Sequence, residues 1–503
     1  MSQSLYNRPM HANRHLRELY TVEQVRALDR RAIDELGISG FELMNRAATA
    51  AFACLRRHWP HARCIAVFCG PGNNGGDGYL IAGLAQDAGL GAEVVELSDA
   101  ACGDAALARD VWQRGGGITH RWHQDASLPH ADVYVDALYG TGLNRAPEAA
   151  ASALIERINA SGIPVLAVDI PSGLNADTGH CPGAAIRAPV TLSFIAAKRG
   201  MYTGQAATRT GALEINTLGL PEILWQGMPA DATLLDAMHL GPRARDAHKG
   251  DCGHVLAIGG DHGTAGAIRL CGEAALRCGA GLVSVATRSE NLTALNSARP
   301  ELMAHGVHGP QELQSMLARA SVLAVGPGLG QGAWGHALWL TALDSGKPLV
   351  LDADGLNLLA REQHRFAAPA VLTPHPGEAA RLLARTNVEV QADRFAAARE
   401  LAQRYGAVVV LKGSGSLIAN PDGRLDVCTW GNPGMASGGM GDLLTGVIAA
   451  LMAQGCSAWD AARIGVGQHA RAGDVAARKG ERGLMASDLL DPLRALGNGL
   501  DHD

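Results

Sequence analysis

Short apolar runs, each closed by a turn rich in glycine, proline or acid and then followed by a helical period, recur along the whole chain. Thr21-Val22-Glu23-Gln24 has a capping-box pattern, and its helical period carries to about Leu36. A second helix is predicted from near Phe41 toward Arg57. Cys64–Cys69 is an unbroken apolar strand, followed by a glycine loop over residues 70–78 and a helix over 79–88. Further strands are predicted at 92–97, 133–138, 165–170 and 191–195. The series resumes at 255–258, 282–286, 321–325, 349–351, 371–372 and 408–411. Strands without polar alternation are covered on both faces, so the pattern predicts parallel sheets between helices, an α/β fold class. In such sheets ligands collect beyond the carboxyl ends of the strands.

Between Leu220 and Arg245 the period lapses and Pro221, Pro229 and Pro242 appear. A joint is expected there, dividing a first domain, 1–220, from a second, 221–503. The polar residues gather where strands end. Asn73-Asn74-Gly75-Gly76-Asp77-Gly78 follows the first strand, Asp136-Ala137-Leu138-Tyr139-Gly140-Thr141-Gly142 closes another, and Asp169-Ile170-Pro171-Ser172-Gly173 a third. Taken singly, each of these loops reads as ordinary turn chemistry; at three successive strand ends, Asn74, Asp136 and Ser172 could converge as an oxygen set suited to a hard, weakly polarising cation rather than zinc. Lys198 reads as a solvated strand-end lysine, with a phosphate contact as the alternative.

The most informative stretch lies in the second half. Gly431-Asn432-Pro433-Gly434-Met435-Ala436-Ser437-Gly438-Gly439-Met440-Gly441-Asp442 runs into the apolar stretch 443–452. A glycine loop feeding a helix start presents free N–H groups and partial positive charge, a cradle for phosphate. A carboxylate at its mouth suits proton removal from a hydroxyl that attacks phosphorus. Asp442 would otherwise be a plain helix cap. Taken singly, His375 reads as a turn histidine, Lys412 as a surface lysine and Asp354 as a helix cap; their common place at strand ends favours a site.

Composition narrows the classes. A net charge of −6, from 43 basic and 49 acidic residues, argues against nucleic-acid or membrane-surface binding. The ten cysteines show no C-x-x-C pair, which argues against zinc and disulfide frameworks. Residues 1–19 are polar and lack the apolar core of a signal peptide, so a cytoplasmic protein is expected.

Residues 21 to about 218 resemble the epimerase domain of the NAD(P)H-hydrate repair enzymes, on the three strand-end motifs just quoted. The resemblance implies a Rossmann-like three-layer domain with a potassium ion on Asn74, Asp136 and Ser172. It implies substrate contacts at Asn73, Asn74, Gly75, Gly76, Asp77, Gly140, Thr141, Gly142, Leu143, Asn144, Arg145, Ala146 and Asp169, with Asp169 as acid–base. Residues of about 222 to 498 resemble the ADP-dependent dehydratase domain, of ribokinase-like fold. The matching segments are 259–267, 326–330, 352–357, 373–378, 412–416 and 432–442. Hydrate contacts are then implied at Ala267, Gly328, His375 and Asp442, and nucleotide contacts at Lys412, Gly413, Ser414, Gly415, Ser416 and Gly441. Asp442 would be the dehydratase base, ADP the co-substrate, and Mg2+ its companion. A homo-oligomer is expected. A small-molecule kinase would share the glycine loop and Asp442, but not the first half; a non-catalytic binding module would have little use for Asn74, Asp136, Asp169 and Ser172.

Overall fold

The computed structural model describes residues 6–7, 17–98, 100–362 and 364–500. The rest of the polar start lies outside them. The chain divides into two units, one within Asn13–Thr233 and one from Leu234 onward that also takes in the strand Tyr6–Asn7, paired with His239–Leu240. The compact first unit thus runs past the 220/221 division expected from proline. The reason is packing: Leu224 and Trp225 are buried in its core, and Ala232 and Thr233 pair with Leu19 and Glu18.

The first unit is built on a 7-stranded sheet in the order Ala212–Asn216, Val190–Phe194, Val165–Val168, Val133–Ala137, Cys64–Cys69, Gly91–Glu96, Ile118–Arg121. Every pairing is parallel. Alternate residues of each strand enter different cores, as the period of two requires. Ile65, Val67, Val133 and Val135 pack on one side with Leu28, Ala48 and Ile81 of helices Val22–Asp34, Gly40–His58 and Asn73–Asp87. Ala66, Phe68 and Tyr134 pack on the other with Leu154 and Ile158 of helix Ala149–Ala160. Three layers result. The chain order reverses between Cys64–Cys69 and Val133–Ala137, a topological switch point where a crevice opens.

One expectation fails locally. Residues 73–78 do not form a loop; the helix begins at Asn73, after Gly72. Its glycines serve contact rather than unusual backbone angles. A Cβ on Gly75 would lie 1.9 Å from the Gly70 carbonyl oxygen, and one on Gly78 would lie 2.7 Å from Ala137 Cβ and Cys69 Sγ.

In the second unit, the strands run in the order Met303–Gly306, Leu282–Thr287, His254–Ile258, Val322–Val325, Leu349–Leu351, Ala370–Leu372, Val408–Leu411, Ser416–Ala419, Leu425–Cys428. Pairings are parallel as far as Val408–Leu411, and the last two strands are antiparallel. Helix Met440–Ala453 carries Leu443–Met452 fully into the core, as an apolar run on every face requires. All ten cysteines are free thiols. Among the described residues no helix is long and apolar enough to cross a membrane.

Candidate active sites

A cavity of about 720 Å³ opens at the switch point of the first unit. Asn73, Asn74, Asp77, Gly140, Thr141, Gly142, Leu143, Asn144, Arg145 and Asp169 line it; Gly75, Gly76 and Ala146 do not. A Cβ on Gly140 would stand 3.2 Å from Asp169 Oδ2 and 3.4 Å from Asn74 Cβ, so that loop passes close over both. Behind it Asp136 is fully buried and accepts from the Ser172 N–H at 2.8 Å and the Ser172 hydroxyl at 2.6 Å. Burial pushes its carboxyl up to about 6, against the pull of those hydrogen bonds. No lysine or arginine among the described residues pairs with it. Asn74 is buried, and among the described residues neither its amide nitrogen nor its oxygen has a partner.

Asp169 sits just past its strand at φ 68°, a left-handed conformation uncommon outside glycine, asparagine and aspartate. Its N–H donates to Leu192 O at 2.8 Å, which ties it to the neighbouring strand. Its Oδ1 accepts from Lys198 Nζ at 2.6 Å. Lys198 is therefore not the solvated lysine expected. It is 1% exposed, and its ammonium also donates to Ser193 Oγ at 2.8 Å and Phe194 O at 2.9 Å. Three acceptors supplied by the fold replace its water. Burial, with Asp169 and Asp29 nearby, raises the Asp77 carboxyl well above the ordinary range. Asp29, on helix Val22–Asp34, also lines the cavity. Sequence reasoning missed it, since it stands among Arg26, Arg30 and Arg31 like any surface acid.

In the second unit the expected residues assemble around Lys412. Its Nζ donates to Asp352 Oδ1 at 2.8 Å and lies 3.9 Å from Glu378 Oε2. The other Asp352 oxygen accepts from Thr445 Oγ1 at 2.9 Å. Burial opposes both charges of the pair, yet attraction wins: the Lys412 pKa stands above its ordinary value and the Asp352 pKa below. Glu378 is pushed up to about 7 by burial. Lys412 is a half-buried ion-pair lysine, not a surface one, because Asp352 is nearly inaccessible and must be neutralised.

Gly439, at φ 92°, turns the chain into helix Met440–Ala453. Asp442 falls in its first turn and is no N-cap. A Cβ on Gly441 would lie 3.1 Å from Lys412 Nζ and 3.2 Å from Asp352 Oδ2, so only a glycine leaves the ammonium uncovered there. No hydrogen bond within the described residues engages the Asp442 carboxyl. Burial, then Asp352, pushes it up to about 6, with Lys412 pulling the other way.

His375 is the N-cap of helix Pro376–Leu383: its Nδ1 accepts from Gly377 N at 3.0 Å, and Glu378 returns a bond to the His375 N–H at 2.8 Å. Asp354 does not cap its helix; Asp352 holds that position, and Asp354 instead accepts from the Gly330 N–H at 2.9 Å. Gly328, at φ 58°, has its carbonyl held by Asp261 N at 2.6 Å and Thr264 Oγ1 at 2.8 Å, beside the helix that carries Ala267. Arg394, 1% exposed, is a second residue the sequence hid. Its guanidinium donates to Leu411 O at 3.2 Å and Lys412 O at 3.3 Å and reaches Gly415 O at 3.5 Å, pinning the 412–416 turn from beneath.

The family described as NAD(P)H-hydrate dehydratase matches residues 255–494, and that described as YjeF-related protein N-terminus matches residues 40–200. The bifunctional NAD(P)H-hydrate repair enzyme Nnr of Escherichia coli K12 is 46% identical over 491 residues, 95% of this chain and 94% of that one. Its Coxiella burnetii counterpart is 46% identical over 487 residues, 95% of this chain and 99% of that one. A solved ADP/ATP-dependent NAD(P)H-hydrate dehydratase from Bacillus subtilis, crystallised with ATP and Mg2+, is 29% identical and covers 52% of this chain and 95% of its own, with a TM-score of 0.48.

Proposed function

Because this chain belongs to the family of bifunctional NAD(P)H-hydrate repair enzymes, we propose that its first unit interconverts the C6 epimers of hydrated NADH and NADPH. Its second unit, ribokinase-like, dehydrates the S epimer at the expense of ADP, leaving NAD(P)H, AMP and phosphate. Hydroxide is a poor leaving group. Asp442 takes the proton of the C6 hydroxyl, whose oxygen attacks the β-phosphorus of ADP as the bond to AMP breaks. The C6–O bond then breaks with phosphate as leaving group, the ring nitrogen supplies electrons, and loss of a C5 proton completes the dihydropyridine. Lys412 and the N–H groups from Gly438 to Gly441 hold the phosphate charge, and the 412–416 turn holds the nucleotide. His375, Gly328 and Ala267 contact the hydrate.

The observation that carries this reading is Asp442 itself: a half-buried carboxyl pushed up to about 6, without a hydrogen bond among the described residues, at a helix start beside Lys412. Magnesium would travel with the nucleotide. Both Asp352 oxygens and the nearer Glu378 oxygen are already engaged, so no side chain is assigned to it. In the first unit, the orphaned Asn74 amide and the buried, uncompensated Asp136 fit a potassium ion, with Ser172 completing the set. Bound there, it supplies a fixed positive charge to the loops around the cavity. Asp169 exchanges protons with water at C6. The reading includes a cytoplasmic location and a homo-oligomer, the latter read by sedimentation.

The test is incubation of the full chain with a mixed-epimer hydrate and ADP. NAD(P)H absorbance should rise to completion with one AMP and one phosphate per cofactor. A stable phosphorylated product without that rise would mark a kinase instead.

A further inference from the structure

The first cavity contains a carboxyl that the reading above leaves idle. Asp29 lies one position past Leu28, at the margin of the apolar stripe Val22, Val25, Leu28, Ala32 of its helix, and it lines the cavity with Val25, Arg26 and Ile33. No hydrogen bond among the described residues reaches this carboxyl. Burial pushes it up to about 6; Lys198, Arg26 and Arg30 pull against the rise, and Asp169 adds to it. Asp77 is the remaining charged neighbour. A carboxyl kept for packing or capping would have a donor; this one has none and faces open volume. Its contrast with Asp169 is one of partner. Asp169 has an ammonium at 2.6 Å, whereas Asp29 has no cation within ion-pair distance among the described residues. Two carboxyls of different environment in one site divide acid from base.

We propose that Asp29 is a second catalytic residue of the first unit, the acid–base group for one face of the hydrated nicotinamide ring, with Asp169 serving the other. The assignment rests on the epimerase reading. Inversion at C6 requires water to leave from one face and arrive on the other, and one carboxyl cannot serve both. In one direction Asp29 gives its proton to the C6 hydroxyl. The C6–O bond breaks, the N1 lone pair forms the N1=C6 bond, and water departs. Water on the opposite face then adds to C6, its proton passes to the Asp169 carboxylate, and the π pair returns to N1. In the reverse direction the roles exchange. Each cycle moves one proton from one carboxyl to the other, and exchange with solvent in the cavity resets the pair.

The test uses the full chain without ADP. Each NADH-hydrate epimer carries isotopically heavy oxygen in its C6 hydroxyl, and inversion and loss of label are followed separately. The parent chain should invert both epimers with loss of label; a parent that does not invert overturns the epimerase reading and this assignment with it. Asp29→Asn should slow inversion by about 10²-fold or more. One epimer, whose hydroxyl faces Asp169, should still exchange its oxygen with retention. Asp169→Asn should show the same retention exchange on the other epimer alone. Inversion by Asp29→Asn within about threefold of the parent overturns the proposal. So does exchange on the same epimer in both variants, or on neither. ADP-dependent dehydration of the S epimer and the thermal midpoint, measured on the same preparation, report folded chain. If Asn lowers the midpoint, Asp29→Glu must keep inversion within about tenfold of the parent, and a loss equal to that of Asn counts against the proposal.

Discussion

Both units place a lysine and several aspartates at the carboxyl ends of parallel strands, yet they pair them differently. In the first unit Lys198 is engaged directly by Asp169, the carboxyl assigned to proton transfer, with the lysine buried and the carboxyl at the cavity wall. In the second, Lys412 is engaged by Asp352, and Asp442, though near it, makes no ion pair with it among the described residues. On the proposed function, the difference follows the chemistry each site is asked to do. Phosphoryl transfer needs an ammonium free to face phosphate oxygens and a base not neutralised by it, so a third group must hold the lysine. Proton exchange on a ring needs no phosphate platform at the reacting carbon, and there a lysine can fix the position of one acid. Glycines differ likewise: Gly75 and Gly78 let their helix close on the Gly70 turn and on the strands, whereas Gly439 turns the chain and Gly441 leaves the ammonium open.

The strongest way to break this comparison is Asp442→Asn. If Asp442 is the free base of the second unit alone, ADP-dependent dehydration falls by about 10³-fold while epimer inversion is unchanged. Near-normal NAD(P)H release by this variant would remove the distinction.

Asp169→Asn comes next. Asparagine tolerates the left-handed backbone at φ 68° but cannot take a proton. Inversion should fall by about 10²-fold, and a mixed-epimer hydrate should then be repaired in a fast phase and a slow one. Because the variant leaves the buried Lys198 ammonium without its carboxylate, it should also lower the midpoint of the first unit, by the equivalent of about 3 kcal/mol. Adding Lys198→Met should recover the midpoint but not the inversion. A single fast repair phase would refute the catalytic role.

The pH dependence separates the sites further. Asp442 must be deprotonated to act, and burial pushes it up to about 6. Dehydration kcat/KM should therefore be level above about pH 6 and fall about tenfold per unit below it. A profile level down to pH 5, about one unit below that, would show that Asp442 does not act as the base.

The smallest effect is expected at Thr21→Ala. Thr21 Oγ1 accepts from Gln24 N at 3.2 Å and Gln24 returns the bond to Thr21 N at 2.9 Å, a complete capping box on the helix carrying Asp29. Its loss should lower first-unit stability by about 1 kcal/mol and leave the dehydration rate untouched. A change in dehydration of equal size would mean that the units do not act separately.

Much of this was legible beforehand. Uninterrupted apolar runs marked Cys64–Cys69 and Val408–Leu411 with their observed bounds, since a strand covered on both faces has no polar position to blur its ends. Asp169 and Asp352 announced themselves by following such runs, Asp136 by standing near the end of one, and Asp442 by closing a glycine loop ahead of an apolar helix. Residues 73–78 were misread because composition cannot tell a glycine needed for backbone angle from one needed for contact. That distinction depends on the Gly70 carbonyl and on Ala137 and Cys69, in other elements.

What the amino-acid order determined by itself is periodicity, and through it the strands, the helices and the edge at which polar side chains gather. What the tertiary structure alone decided is partnership. Lys198 meets Asp169 across 29 residues and Lys412 meets Asp352 across 60. Nothing in the local sequence distinguishes a lysine that will be solvated from one that will find such an acceptor. Local pattern sets backbone conformation, because that depends on neighbours in the chain. The charge state and the role of a buried acid depend on which groups replace its water, and only the folded chain supplies them.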